Sequence, residues 1–151
     1  MVQLTETTQP SRYDKYLPEL NPLTKPFWEY CKKHELRMQY CKNCTEWIWY
    51  PKPWCPKCGK RESIEWRKLS GKGIVYSFTV IRQVIDNSSA FQADLPFVIG
   101  LIELEEGPRI YSNILGVKLE EVKIEDRVEL TFEDVTDEIT LPKFRKGPSS
   151  S

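Results

Sequence analysis

The sequence predicts a mainly β chain in which an N-terminal helical arm and a small metal ribbon precede a five-stranded barrel. Three observations carry this. Cys41, Cys44, Cys55 and Cys58 form two C-x2-C pairs with ten residues between them. Residues 24–39 repeat apolar side chains at three- and four-residue spacing, the period of an amphipathic helix. Beyond the second cysteine pair come five β segments with no long helical pattern among them. These shifts divide the chain into an arm and helix at 1–39, a ribbon at 40–65, a barrel at 66–146 and a loose tail at 147–151.

The arm carries Pro10, Pro18, Pro22 and Pro26 and is expected to be irregular, with at most a short helix near Tyr13–Leu17. Tyr13, Tyr16, Leu17, Leu20 and Leu23 are too apolar for a purely solvated tail, so the arm should pack on its own domain or on a partner. The helix follows. Thr24 stands at the N-cap, Pro26 in the first turn and Glu29 where it supports that turn. Phe27, Tyr30 or Cys31, His34 and Met38 form its buried stripe, with Lys32, Lys33 and Arg37 outside. Cys31 reads as a small buried residue and His34, the single histidine, as a packing or surface residue; no nucleophile–base–acid set surrounds it.

Residues 41–59, CKNCTEWIWYPKPWCPKCG, place two thiols on each of two turns, and the hairpin between them can close the pairs into a tetrahedral sulfur site. Four thiolates suit a closed structural zinc in a rubredoxin-like ribbon; iron in such a site and a disulfide pair are the alternatives. The fifth cysteine, Cys31, argues against a secreted disulfide scaffold and for a reducing compartment, the cytoplasm. Trp47, Trp49 and Trp54 supply a miniature core, or a surface for a ligand or partner, with Lys52, Lys57, Lys60 and Arg61 beside them.

From Ser63 the period changes. The stretch IEWRKL leads through SGKG into a long strand, GIVYSFTVIRQVI. Gly71-Lys72-Gly73 makes a bend and lacks the rest of a phosphate-loop signature. DNSSAFQADL reads as a polar loop with one prominent exposed aromatic, Phe91. PFVIGLIEL and RIYSNIL follow as strands joined at Glu106-Gly107-Pro108, then a one-turn helix or loop at 116–126, and last VELTFEDV and a short EITLPKF. A sheet this small protects its edges by closing, which favours an OB-fold barrel, with an SH3-like or sandwich arrangement as runner-up.

No run approaches the ~20 apolar residues of a membrane helix, and the polar start VQLTETTQPS is unlike a signal peptide. Net charge is zero but uneven: residues 1–72 carry 14 Lys/Arg against 8 Asp/Glu, and residues 73–151 carry 8 against 14. Much of the asymmetry is ordinary solvation; the functional reading is a basic ribbon module facing an anionic ligand or an acidic partner, while the acidic second half argues against an extended nucleic-acid track over the barrel.

The phrases Phe27-Trp28-Glu29, LRMQYCKNC, YPKPWCPKCG, SGKGIVYSFTV, LPFVIGLIELEEGPRIYSN, VELTFEDV and ITLPKF occur in that order across residues 25–146. In this the chain resembles the acyl-CoA-associated zinc-ribbon/OB-fold family. The resemblance implies a non-catalytic accessory or scaffold subunit of thiolase-like enzymes, such as one bridging acetoacetyl-CoA thiolase and hydroxymethylglutaryl-CoA synthase. It also implies that the chain helps house the CoA portion of an acyl-CoA. Lys52, Lys57, Lys60, Arg61, Lys72 and Arg82 are then the candidates for its phosphates. Trp49, Tyr76, Phe78, Phe91 and Asn113 are candidates to wall or orient it. RNA or single-stranded DNA binding is the alternative, since ribbons and OB barrels both serve there. A free-standing enzyme ranks below both, because a closed four-cysteine site leaves no open metal position.

Overall fold

A computed structural model describes residues 15–85 and 89–147. The beginning of the short helix expected at Tyr13–Leu17 and the tail beyond 147 lie outside these residues; 16–20 form no regular structure.

Helix α1 (Lys25–Lys32) starts where Asn21 turns its Oδ1 back to accept from the N–H groups of Leu23 and Thr24, at 3.0 and 2.9 Å. Thr24 holds the N-cap position but makes no side-chain cap bond, so Asn21 organises the entry instead. Pro26 occupies the first turn, where a missing N–H costs no intrahelical bond. The helix ends earlier than the stripe through His34 and Met38 predicts. His34 adopts a φ of 60°, the chain turns, and Arg37–Cys41 becomes strand β1. Met38 is buried as expected, but from a strand. The tertiary alternative prevails because β1 gains two ladder partners, which a longer helix would leave unpaired.

Those partners are β2 (Glu46–Ile48) and β3 (Ile64–Lys68), both antiparallel to β1, in the order β2-β1-β3. The stretch IEWRKL, expected to lead into the barrel, is therefore the ribbon's third strand. Five more strands form the OB-like sheet: β4 (Lys72–Ile81), β5 (Phe97–Leu104), β6 (Arg109–Leu115), β7 (Arg127–Asp134) and β8 (Thr140–Lys146). They pair in the order β4-β5-β6-β8-β7, and β7 returns to β4 at Lys72↔Glu129, Gly73↔Val128 and Ile74↔Arg127. The β6–β8 contact is parallel and short, registering only Ile114↔Phe144 and Leu115↔Arg145. Above it the strands part, and Ser112 Oγ donates to the Pro142 carbonyl at 2.8 Å.

Strand β5 alternates strictly, burying Val98, Gly100, Ile102 and Leu104. Gly73 sits where β4 is gripped from both sides: a Cβ there would lie 2.5 Å from the Glu103 carbonyl oxygen. Strand β4 ends at Ile81, short of the expected Ile85, and the loop expected around Phe91 contains a four-residue helix, α2 (Ser89–Gln92). Phe91 is half-buried, with Tyr16 of the arm 6.0 Å away, because the arm covers it.

Phe27 and Cys31 from α1, Leu36, Met38 and Leu69 share one core with Val75, Ile102 and Phe144. Helix α1 is thus part of the packing of the OB-like sheet. The ribbon keeps a small separate cluster of Cys41, Ile48 and Cys55, bordered by Cys44, Cys58 and Ile64. Among the described residues no helix is long and apolar enough to cross a membrane.

Candidate metal centre and ligand grooves

The ribbon sheet brings its two cysteine turns face to face. Cys41 ends β1 and Cys44 follows it on the turn into β2, while Cys55 and Cys58 lie on the loop before β3. The four Sγ atoms all fall within 4.8 Å of one another, with Cys41–Cys58 at 3.7 Å and Cys55–Cys44 at 3.9 Å. A tetrahedron built on metal–sulfur bonds of ~2.3 Å has edges of about 3.8 Å, so the cluster fits a zinc ion. Each turn is closed by a left-handed residue after its second cysteine, Thr45 at φ 53° and Gly59 at φ 75°. The Cys44 N–H donates to Cys41 Sγ at 3.3 Å, and the buried Ser63 hydroxyl lies 3.3 Å from the same sulfur. Donors aimed at sulfur favour thiolate. Ser63, then the Cys44 N–H and the neighbouring sulfurs, bring Cys41 down to about 6. Burial, then the other sulfurs, raise Cys44 to about 12. Cys31, fully buried away from the cluster in α1, is pushed up to about 12 by burial alone and is inert packing.

The remaining candidates are dispersed. Lys57 is engaged with Glu46 at 2.7 Å, and Arg61 stands over the Trp54 ring at 5.7 Å. Lys52 is held by its backbone, which exchanges bonds of 2.7 and 3.0 Å with the Gln39 side chain. Lys60 is exposed and gives its carbonyl to the Cys55 N–H at 2.9 Å. Lys72 lines a cavity of about 490 Å³ between β4, β5 and β7. The Arg109 guanidinium covers Tyr76 at 3.6 Å; Phe78 packs half-buried on the main core, and Arg82 is exposed past the end of β4.

Three candidates meet at cavities. Trp49 and Asn113 line a groove of about 290 Å³ between α1, the segment after β2, β6 and β8. Phe91 and Asn113 line a second, of about 540 Å³, between α2, β6, β7 and β8. The sequence reading missed Trp28, Tyr50 and Tyr111 in the first groove and Lys143 and Arg145 in the second. Lys143 alone carried a local signal, as a charge within the largely apolar stretch ITLPKF. It is buried and paired with Glu133.

The ChsH2 rubredoxin-like zinc ribbon domain matches residues 28–63, and the ChsH2 C-terminal OB-fold domain matches residues 66–133. A DUF35 domain-containing scaffold protein of Methanocaldococcus jannaschii is 39% identical over 98 residues, covering 65% of this chain and 67% of that protein. A probable enoyl-CoA hydratase alpha subunit of Thermomonospora curvata is 32% identical over 142 residues, covering 93% of this chain; the chain spans 42% of that longer protein. Among solved structures, one described as Ltp2-ChsH2(DUF35) aldolase superposes with a TM-score of 0.76 at 30% identity, covering 86% of this chain and 98% of its own.

Proposed function

The chain belongs to the DUF35/ChsH2 zinc-ribbon–OB-fold family, and from that premise we propose that it is a non-catalytic accessory subunit of a thiolase-like enzyme that binds the CoA portion of an acyl-CoA. In this reading Cys41, Cys44, Cys55 and Cys58 hold a structural zinc. All four positions of such a site are filled by protein, so the ion clips the ribbon together and supplies no open Lewis-acid position. The ribbon, which extends through β3 to residue 68, presents an aromatic and basic surface, and the sheet from β4 to β8 closes through its short β4–β7 seam into a barrel that supports it.

The observation that carries the reading is the likeness across both modules to a chain whose description pairs ChsH2(DUF35) with an aldolase component. The archaeal scaffold relative supports the same role, and bridging of acetoacetyl-CoA thiolase to hydroxymethylglutaryl-CoA synthase in the cytoplasm is the form we favour. The hydratase alpha-subunit relative favours a second form, an accessory module of an enoyl-CoA hydratase. Affinity capture of the chain from its native source, with mass identification of what is retained, tests these readings. Stoichiometric thiolase-like and synthase subunits support the bridge, a hydratase subunit supports the second form, and ribonucleoproteins overturn both.

A further inference from the structure

The two grooves adjoin at shared lining residues. Asn113 of β6 and Lys143 of β8 line both, and the grooves run along the stretch where β6 and β8 lack registered pairs. At ~3.4 Å per residue, Tyr111 to Leu115 alone spans about 14 Å of the floor.

The ends differ in chemistry. One is walled by Trp28, Trp49, Tyr50, Tyr111 and Pro142; among the described residues it contains no carboxylate, and its only cation is the shared Lys143. The other brings together Lys15, Lys143 and Arg145 with Asp94 and Glu133, beside Phe91. Lys15 pairs with Asp94, and Lys143 with Glu133. Arg145 is exposed and has no carboxylate within ion-pair distance among the described residues, so this end keeps an excess positive charge. A guanidinium without a carboxylate partner, in a groove that a half-buried aromatic ring also lines, matches a phosphate attached to a base: the planar fork takes phosphate oxygens, and the ring offers the base an apolar wall. The aromatic end matches an uncharged, flexible arm, and the amide at the waist can exchange hydrogen bonds with amides of that arm.

We propose that these adjoining grooves together seat the CoA-type ligand with a fixed polarity: its nucleotide phosphates lie against Arg145 and Phe91, and its pantetheine arm passes Asn113 and Lys143 to end among Trp28 and Tyr111. The proposal rests on the accessory CoA-binding role and adds the site and the direction of the ligand. It also moves the phosphate contacts from the ribbon cations Lys52, Lys57, Lys60 and Arg61, none of which lines either groove, to strand β8 of the OB-like sheet.

Calorimetric titration of the full zinc-loaded chain with CoA at low and high salt tests it. Arg145→Glu is expected to weaken binding about tenfold or more, the scale of a lost charge-assisted contact, and to flatten its salt dependence. Tyr111→Ala, at an exposed position, is expected to weaken binding about threefold to tenfold with the salt dependence retained. Arg61→Ala should change neither. CoA binding that survives both Arg145→Glu and Tyr111→Ala overturns the groove and leaves the CoA-binding role standing. No CoA binding by the unmodified chain at millimolar concentration overturns both. Near-ultraviolet dichroism and zinc content identical to the unmodified chain establish that each variant is folded.

Discussion

Cys55→Ser removes one corner of a sulfur cluster that makes up most of the ribbon's own interior. Cys41, Ile48 and Cys55 are its buried members, with Cys44, Cys58 and Ile64 at the border, so only two aliphatic side chains belong to it. Fully burying an isoleucine contributes about 1.5–3 kcal/mol, and Ile64 is only half-buried, so the two together supply less than about 6 kcal/mol. A structural zinc contributes about 10–16 kcal/mol of folding free energy in a small metal domain. A zinc held there would therefore outweigh apolar packing at this end of the ribbon. At the other end the balance reverses, because Leu36 and Met38 pack with Val75, Ile102 and Phe144 in the main core. The substitution should release residues 42–63 and leave β1's first half and the OB-like sheet intact. Zinc content by plasma mass spectrometry and hydrogen exchange by peptide mapping give the readout. Expected are substoichiometric zinc, fast exchange confined to 42–63 and unchanged protection in β5 and β8. Full zinc occupancy in the variant would refute the ligand assignment, and equal loss of protection in ribbon and sheet would refute the energetic division.

Three further outcomes follow from the packing. Gly73→Ala places a methyl 2.5 Å from the Glu103 carbonyl oxygen, a backbone atom that cannot move without disturbing the β4–β5 register. Overpacking of this kind costs about 1–3 kcal/mol, a fall in Tm of roughly 2–12 °C in thermal unfolding; an unchanged Tm would contradict the close approach. Phe27→Ala empties a buried site beside Trp28 and Trp49, whose rings lie 4.9 and 5.0 Å away. A loss of about 3–5 kcal/mol in urea unfolding is expected, with probes in the OB-like sheet and the ribbon shifting together because α1 belongs to the shared core. At Asp134 the Thr140 hydroxyl, then His34, hold the carboxyl below its usual value. A depressed carboxyl contributes stability above its unfolded value of about 3.9 and loses it as pH falls through the folded value. Asp134→Asn should therefore be less stable than the unmodified chain at pH 6, and the gap should close at strongly acid pH; a constant gap would remove the carboxylate from the account. The effect is expected to be small, since the pair is exposed.

Features set by local spacing were legible in the sequence. The paired cysteines forecast the sulfur cluster because both turns are built from adjacent residues, and the apolar run PFVIGLIEL forecast strand β5. The helix boundary was not legible. Phe27, Cys31, His34 and Met38 keep helical spacing, and the chain reverses at His34 in a left-handed conformation that no glycine announces. Strand β1 exists because β2 and β3 flank it, and β3 comes from a stretch more than twenty residues downstream. The grooves were illegible for the same reason. Trp28, Asn113 and Lys143 come from α1, β6 and β8 and become neighbours only where two strands fail to pair.

The accessory role makes its most direct claim about where turnover resides. Purified zinc-loaded chain, assayed with acyl-CoA substrates alone and then with the thiolase-like enzyme recovered alongside it, separates the alternatives. The account predicts no turnover by the isolated chain, and lower activity or a higher KM for acyl-CoA when the chain is withheld from its partner. Acyl-CoA turnover by the isolated chain would contradict it.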